Sequence, residues 1–417
     1  MNATHTPGSP TAPSGEAPAR ETVDQSALRA DLVARAAGLV ERLRAAGGES
    51  DARRTVSEEL VAEVTDAGLF RVCAPAEFGG YEGNLRTYMD VVAELGRGDG
   101  SMAWIAFLAN NNASIIAQFP PAARDEVFRN NPDARSIAVL APTATTTKVD
   151  GGFRVSATWG FASGSLYADW ALNAAPLDDG AGGTESGLVL IPMSKLRVED
   201  TWFAAGMRGT GSNTVIAEDV FVPDHMAMPL SRLLRFNGLG NQNANPSFRQ
   251  AFAAQALIVV AAPLLGLAQA ALELTLERVT KSSKRISYSS YTDLRDSPAM
   301  QMRISHASSL ISTGRMSVIG WTDRIVAAAE AREELSVAER AQLRVDLGTA
   351  LGLLNEAVNQ LMFVQGASGF MESNPFQRVW RDFSVGLRHG LVTPEVPADV
   401  QALLLLDRDH TGLTPFI

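Results

Sequence analysis

Apolar residues fall at helical spacing over the first third of the chain. Between Ser26 and Ala46 they stand at Leu28, Leu32, Ala36, Leu39 and Leu43 with Arg and Glu between, which predicts an amphipathic helix stopping at Gly47-Gly48. Ser57 is the expected cap of a second helix, Glu58 to Ala67, closed by Gly68. Leu69 to Pro75 reads as a strand-like apolar run that buries Cys73, and a turn follows at Phe78-Gly79-Gly80-Tyr81. Leu85 to Arg97 is helical, and Gly98-Asp99-Gly100-Ser101 resets the chain. Met102 to Phe119 predicts a mostly apolar helix interrupted at Asn110-Asn111-Asn112. Three adjacent amides there are costly unless they find partners: either they face a ligand cavity or they mark a helix end. Pro120-Pro121 opens a short polar helix ending before Pro132.

From Ser136 to Pro223 the pattern changes to short β-branched, alternating runs with glycine turns: Ile137–Leu140, Gly152–Val155, Trp170–Asn173, Gly187–Ile191, Val215–Ala217 and Val220–Val222. This spacing predicts a compact β domain, a barrel or sandwich, with Gly180 to Gly187 as a surface hairpin loop. After Pro223 strand patterns end. Ser247–Thr280, Ser297–Ala331, Ser336–Val364 and Pro375 to about Leu391 predict four helices joined as an up-and-down bundle, and Ala398–Leu406 a smaller one. The fold class is α+β. Its expected parts are a disordered tail (1–25), an N-terminal helical domain (26–134), a central β domain (135–225) and a C-terminal bundle (226–417).

Composition narrows the function classes. The chain has 417 residues, 46% hydrophobic and 20% charged, which fits a soluble protein of two or three domains. Its 36 basic and 46 acidic residues give a net charge of −10 and no basic stripe, which argues against nucleic-acid binding. A single cysteine excludes an intrachain disulfide and a cysteine-rich metal cluster. The histidines His5, His225, His306, His389 and His410 show no metal-ligand spacing, so no metal is expected. The Pro/Ser/Thr/Ala-rich start lacks the regions of a signal peptide. Ala251 to Ala271, the nearest approach to a membrane span, holds Gln255, Pro263 and Gln269 and reads as a buried helix. A cytoplasmic location follows.

Four segments carry candidate chemistry. Trp159-Gly160-Phe161-Ala162-Ser163-Gly164 is a strand entering a turn, with aromatics and a hydroxyl suited to a flat ring and its polar edge. Gly206-Met207-Arg208-Gly209-Thr210-Gly211-Ser212 is a glycine-rich loop able to cradle phosphate or a ring edge. It is not a P-loop, because no lysine precedes the hydroxyl and a strand follows. Lys281 to Asp296 is a polar link containing Arg285. Gln365-Gly366-Ala367-Ser368-Gly369 breaks a long helix, and Pro375 opens the next, which carries Arg378, Arg381 and Asp382 and ends near Arg388-His389-Gly390.

These segments resemble the acyl-CoA dehydrogenase superfamily over roughly Ala27 to Leu406: Gln365-Gly366-x-x-Gly369, Pro375 and Arg378-x-x-Arg381-Asp382 match its C-terminal flavin-site pattern. Many dehydrogenases of the fold place a proton-abstracting glutamate soon after the Arg-Asp pair. Here the stretch reads Arg388-His389-Gly390, with no carboxylate until Glu395. The histidine, the Trp-x-Phe-x-Ser-Gly turn and the Gly-x-Arg-Gly-Thr-Gly-Ser loop resemble the two-component flavin monooxygenases of the same fold. That resemblance implies reduced FAD or FMN delivered by a separate flavin reductase, O2, a flavin hydroperoxide, and hydroxylation of a small phenolic or polyketide substrate in secondary metabolism. No Gly-x-Gly-x-x-Gly turn offers a nicotinamide site on this chain. N-oxygenation of an amino sugar is the near variant. An acyl-CoA dehydrogenase is a rival class, and a flavin-free helical-bundle protein is a third.

The resemblance further implies His389 as catalytic base. Trp159, Phe161, Ala162, Ser163, Arg208, Thr210, Ser212, Arg285, Gln365, Gly366 and Arg381 would bind the cofactor, and Phe78, Tyr81, Trp104 and Asn111 the substrate. Arg285 would reach the flavin of a neighbouring subunit in a homotetramer built as a dimer of dimers.

Overall fold

The computed structural model describes residues 23–141, 143–234, 245–281 and 285–414. The expected tail falls mostly outside them. Five helices come first: α1 (Gln25–Arg53), α2 (Glu58–Asp66), α3 (Leu85–Gly98), α4 (Gly100–Ile116) and α5 (Pro121–Phe128). Asp24, Ser57, Asn84 and Asp99 cap the first four by accepting backbone N–H groups of the first turn.

Helix α1 runs through Gly47-Gly48, where a stop was expected, to Arg54 in the left-handed conformation (φ +58°). The reason is tertiary. A Cβ on Gly47 would lie 2.6 Å from Cζ of Arg378, so the glycine makes room for a guanidinium instead of ending the helix. Helix α4 likewise continues unbroken through Asn110-Asn111-Asn112. Asn110 donates to the Leu69 carbonyl (2.8 Å) and accepts from the Cys73 amide (3.2 Å); Asn112 donates to the Ser136 carbonyl (2.8 Å). These amides fasten the helix to its neighbours. The Leu69–Pro75 run forms consecutive turns, not a strand, and Asn110 supplies the partners that a sheet would have given.

Eight strands follow: β1 (Ser136–Ile137), β2 (Ala144–Val149), β3 (Gly152–Ala162), β4 (Trp170–Asp178), β5 (Thr184–Pro192), β6 (Arg197–Glu199), β7 (Asn213–Pro223) and β8 (Ala227–Pro229). They form two four-stranded sheets, ordered β1-β4-β5-β8 and β2-β3-β7-β6. β1 and β4 are parallel, and the other pairs are antiparallel. Strand pairing therefore continues past Pro223, because Ala227–Pro229 closes the edge of β5. The expected 180–187 loop shrinks to 179–183, since Thr184 already pairs with Asp178. Trp159 is fully buried and its indole N–H reaches the Ala174 carbonyl (3.2 Å) on the other sheet, pinning the two layers.

The elements that follow among the described residues are mainly α-helices: α6 (Leu230–Leu234), α7 (Phe252–Ile258), α8 (Ala261–Lys281), α9 (Pro298–Ala331), α10 (Val337–Gln365), α11 (Pro375–Gly386) and α12 (Glu395–Leu405). Pro263 sits in the first turn of α8, and the single helix expected from Ser247 breaks ahead of it. The Phe252–Lys281 stretch is long and apolar enough to cross a membrane, but its apolar window is 78% buried inside the protein. Helices α3 and α8 touch through Gly96, where a Cβ would sit 2.9 Å from the Pro263 carbonyl oxygen. One core joins α1–α4 to α8–α11, and a second fills the space between the sheets and the far half of α4. Helix α4 thus crosses from one core to the other.

Candidate functional site

Strand β3 ends in an irregular turn. Its register with β7 shifts between Trp159 and Ala162, and Phe161 takes a positive φ of +59°, a conformation costly for a bulky residue. The result is an aromatic ring 78% exposed, held edge-on by Trp202 at 5.8 Å and 72°. Trp202 is fixed in turn by its indole N–H on the Met207 carbonyl (2.9 Å). Ser163, next in the turn, lies 2.7 Å from the Ser212 hydroxyl, which lies 2.6 Å from that of Thr210; Thr210 donates to the Met207 carbonyl at 2.7 Å. Gly164 N–H to Thr210 O (2.8 Å) and Ser165 Oγ to Gly211 O (2.7 Å) complete the seam between turn and loop. Two segments far apart in sequence therefore behave as one surface.

The loop is held from behind by charge. Arg208 Nε donates to the Asp51 carbonyl (2.8 Å) and Nη1 to the Ala204 carbonyl (3.0 Å). Arg381 meets the Asp51 carboxylate with both Nη atoms (3.1 and 2.9 Å), and also bonds Gln377 and the Ala205 carbonyl. Both arginines were expected to contact a cofactor; their described hydrogen bonds run inward and fix the loop. Gly206 lets the loop lie directly on the α11 backbone, where a Cβ would sit 2.8 Å from the Asp382 amide nitrogen. The buried Asp382 carboxylate accepts the Met207 N–H at 2.5 Å. Burial, and then the nearby Asp99, push its pKa up to about 7. Burial raises Asp99 as well, and Arg378 acts against both shifts.

At the C-terminal end of α11 the chain brings Trp104 and His389 together, ring centroids 5.6 Å apart, with Phe107 edge-on to Trp104 at 5.2 Å. Gly386 permits this: a Cβ there would stand 3.2 Å from Trp104 Cζ3 and 3.1 Å from Met207 Cε. Helix α11 stops at Gly386, short of the expected Leu391, and His389 caps the turn that follows. His389 Nδ1 accepts the Leu391 N–H at 3.3 Å, so the neutral ring carries its hydrogen on Nε2. Burial lowers the His389 pKa, which keeps the ring neutral near pH 7. In this tautomer the ring offers a donor, whereas the expected base role needs a free lone pair.

The other sequence-predicted residues fall elsewhere. Gln365 is buried at the opposite end of α11, accepting from Arg278 (2.8 Å) and donating to Thr275 (3.2 Å). Gly366 ends α10 at φ +64°. The 12-residue α11 spans ~18 Å, so this group and the Trp104–His389 pair occupy separate places in one chain. Arg285 is exposed on the link before α9. Phe78 stacks on Phe128 (5.9 Å), and Tyr81 accepts from Arg35 (3.1 Å) across Gly68. Asn111 is half-buried on α4, and Ala162 is buried beside Trp159 in the sheet core.

Sequence reasoning missed Trp202 and Tyr167, and gave Met207, within the glycine-rich loop, no role of its own. Tyr167 ties the turn to the N-terminal helices through Thr55 and the Val56 amide, both at 2.5 Å. Only the placement of Trp202 shortly before the glycine-rich loop hinted at its part. Asp382 was visible within the Arg-Asp pair, but its burial was not.

Comparison with known proteins gives the family. Residues 24–126 match the acyl-CoA dehydrogenase N-terminal domain, and residues 258–394 the acyl-CoA dehydrogenase C-terminal domain. The chain is 28% identical to the flavin-dependent monooxygenase oxygenase subunit HsaA of Rhodococcus jostii, covering 86% of this chain and 93% of that protein. It is 29% identical to the oxygenase component of the FADH(2)-dependent resorcinol hydroxylase of Rhizobium sp., covering 86% and 90%. XiaF from Streptomyces sp., solved with FADH2 and glycerol, superposes with a TM-score of 0.87 at 30% identity over 93% of this chain and 98% of its own. These matches show that the chain belongs to the two-component flavin-dependent monooxygenases of the acyl-CoA dehydrogenase fold.

Proposed function

We propose that this chain hydroxylates an aromatic ring bearing a phenolic oxygen, with the substrate seated against the His389 ring on the side away from Trp104. The observation that carries the reading is that pair, placed where α11 ends and backed by Met207 of the glycine-rich loop. A flat aromatic wall and one neutral imidazole donor suit a phenolic oxygen, and the stretch after Asp382 holds no carboxylate until Glu395 to abstract an acyl α-proton.

The turn fits an isoalloxazine on its own chemistry. Phe161 offers an exposed flat ring, and Ser163, at the mouth of the hydroxyl chain, offers a polar atom beside it. When bound, reduced flavin supplies two electrons and two protons, so that one oxygen atom of O2 enters the ring and the other leaves as water. Phe161 and Ser163 would seat the flavin, Thr210 and Ser212 would back them, and His389 Nε2–H would hold the substrate oxygen. Trp104, Phe107 and the buried face of α4 would keep water from that end.

FAD or FMN would arrive from a separate reductase. The exposed apolar side chains of Met302, Met316, Phe363, Phe370 and Met371, on α9, α10 and the following turn, support a homotetramer in which Arg285 completes the site of a neighbouring subunit. A cytoplasmic setting and secondary metabolism fit the same reading.

The test is a substrate screen. The protein is loaded anaerobically with reduced FAD or FMN and mixed with aerated buffer containing phenols, indoles or amino sugars, and products are read by mass. A phenol gaining one oxygen supports the reading. Gain only on an amine overturns the carbon-hydroxylation reading. Bleaching of the oxidised, flavin-loaded protein by an acyl-CoA would overturn the monooxygenase reading itself.

A further inference from the structure

The three hydroxyls behind the turn have a direction. Thr210 Oγ1 lies 2.7 Å from the Met207 carbonyl oxygen, a separation at which the hydroxyl must donate, since two oxygens facing lone pair to lone pair would repel. That uses its only hydrogen. The 2.6 Å contact between Thr210 and Ser212 then needs the Ser212 hydrogen, and the 2.7 Å contact between Ser212 and Ser163 needs the Ser163 hydrogen. Thr210 and Ser212 are buried, so no exchange with solvent resets the chain, and the Met207 carbonyl is itself held by Trp202. Ser163, half-exposed at the outer end, is left with lone pairs alone facing outward.

We propose that Thr210 and Ser212 are positioning residues that fix the Ser163 hydroxyl as a hydrogen-bond acceptor. The turn thereby binds a reduced flavin, whose N5 carries hydrogen, in preference to the oxidised form, whose N5 carries only a lone pair. The inference rests on the reading that Ser163 faces the flavin ring. An acceptor held against an acceptor costs affinity, whereas an acceptor held against N–H adds it. Such a bias suits an oxygenase component that takes reduced flavin from a partner and must release it oxidised.

The experiment is anaerobic titration of the full chain with oxidised and with dithionite-reduced FMN and FAD, giving a Kd for each redox state. The wild type should bind the reduced form more tightly. Ser212→Ala, Thr210→Val and the nearly isosteric Ser212→Cys, a weak donor, should each compress the reduced-to-oxidised preference by about fivefold to tenfold. Thr210→Ser, which keeps the oxygen, should restore it. Near-UV circular dichroism and Tm identify folded variants, and Thr210→Ser and Ser212→Cys disturb packing least. If Ser163→Ala changes neither Kd, Ser163 does not face the ring and the reading of the turn fails. If Ser163→Ala shifts the preference but the folded Ser212 and Thr210 variants do not, the hydroxyl chain is not what sets it. If Ser212→Ala weakens both redox states equally, Ser163 bonds a hydrogen present in both, and redox selection is overturned.

Discussion

The two ends of α11 carry polar residues of similar kinds and use them differently. At its N-terminal end Gln365 is buried and meets Arg278, Thr275 and Asn374, while Arg278 also reaches Ser368 at 2.6 Å. These polar groups satisfy one another and hold the break between α10 and α11. At its C-terminal end His389 spends one ring nitrogen on the Leu391 amide, lies against Trp104, and has no described partner on Nε2. A network closed on itself rigidifies; a positioned group with an unspent donor can act on something else. The difference separates scaffold from proposed chemistry more sharply than residue type does.

The strongest way to break this contrast is at His389. His389→Ala should cut hydroxylation by ~10²-fold or more, and His389→Gln, which keeps a donor, should retain a measurable part of it; steady-state product formation decides. Because burial lowers the His389 pKa, the ring is neutral above that value, so activity should hold at neutral pH and fall only as pH drops below the usual histidine range. At the other end Gln365→Ala should destabilise by ~1–3 kcal/mol in chemical denaturation while leaving the pH profile of activity unmoved. An altered profile would mean that the two ends are not functionally distinct. Gly386→Val should cost ~1–3 kcal/mol and raise KM, since the added carbons press on Leu264, Met207 and Trp104.

A pH-dependent effect on stability alone is expected at Asp382. Its folded pKa of about 7 stands above the ordinary carboxyl value, so stability is fullest below the unfolded pKa near 4 and is lost as pH rises through about 7. Asp382→Asn keeps an acceptor for Met207 N–H and removes that loss. Its Tm should exceed that of the wild type at pH 8, with the gap closing at pH 5.

Much of this is legible in the sequence because helical and strand periodicities are local. The helix–sheet–helix order, the Trp159–Ser163 turn and the glycine-rich loop are all readable from the order of residues alone. What escapes is set by distant partners. Gly47-Gly48 reads as a stop, yet Arg378, from the far end of the chain, turns it into a packing notch. The asparagine triplet reads as a break or a cavity lining, yet Leu69, Cys73 and Ser136 make two of its amides scaffold. Arg208 and Arg381 match the family's cofactor pattern, and the order of residues does not show that Asp51 also engages them. Periodicity cannot show whether a charge is already paired.

On the proposed reading, one atom of dioxygen enters an aromatic ring at the Trp104–His389 end. The most direct measurement is hydroxylation under 18O2 with anaerobically loaded reduced flavin, in wild type and His389→Ala. Each wild-type product molecule should carry one 18O atom, and in the variant the flavin should be reoxidised with O2 released as hydrogen peroxide and little product. Unlabelled product, or labelled product undiminished in the variant, would contradict it.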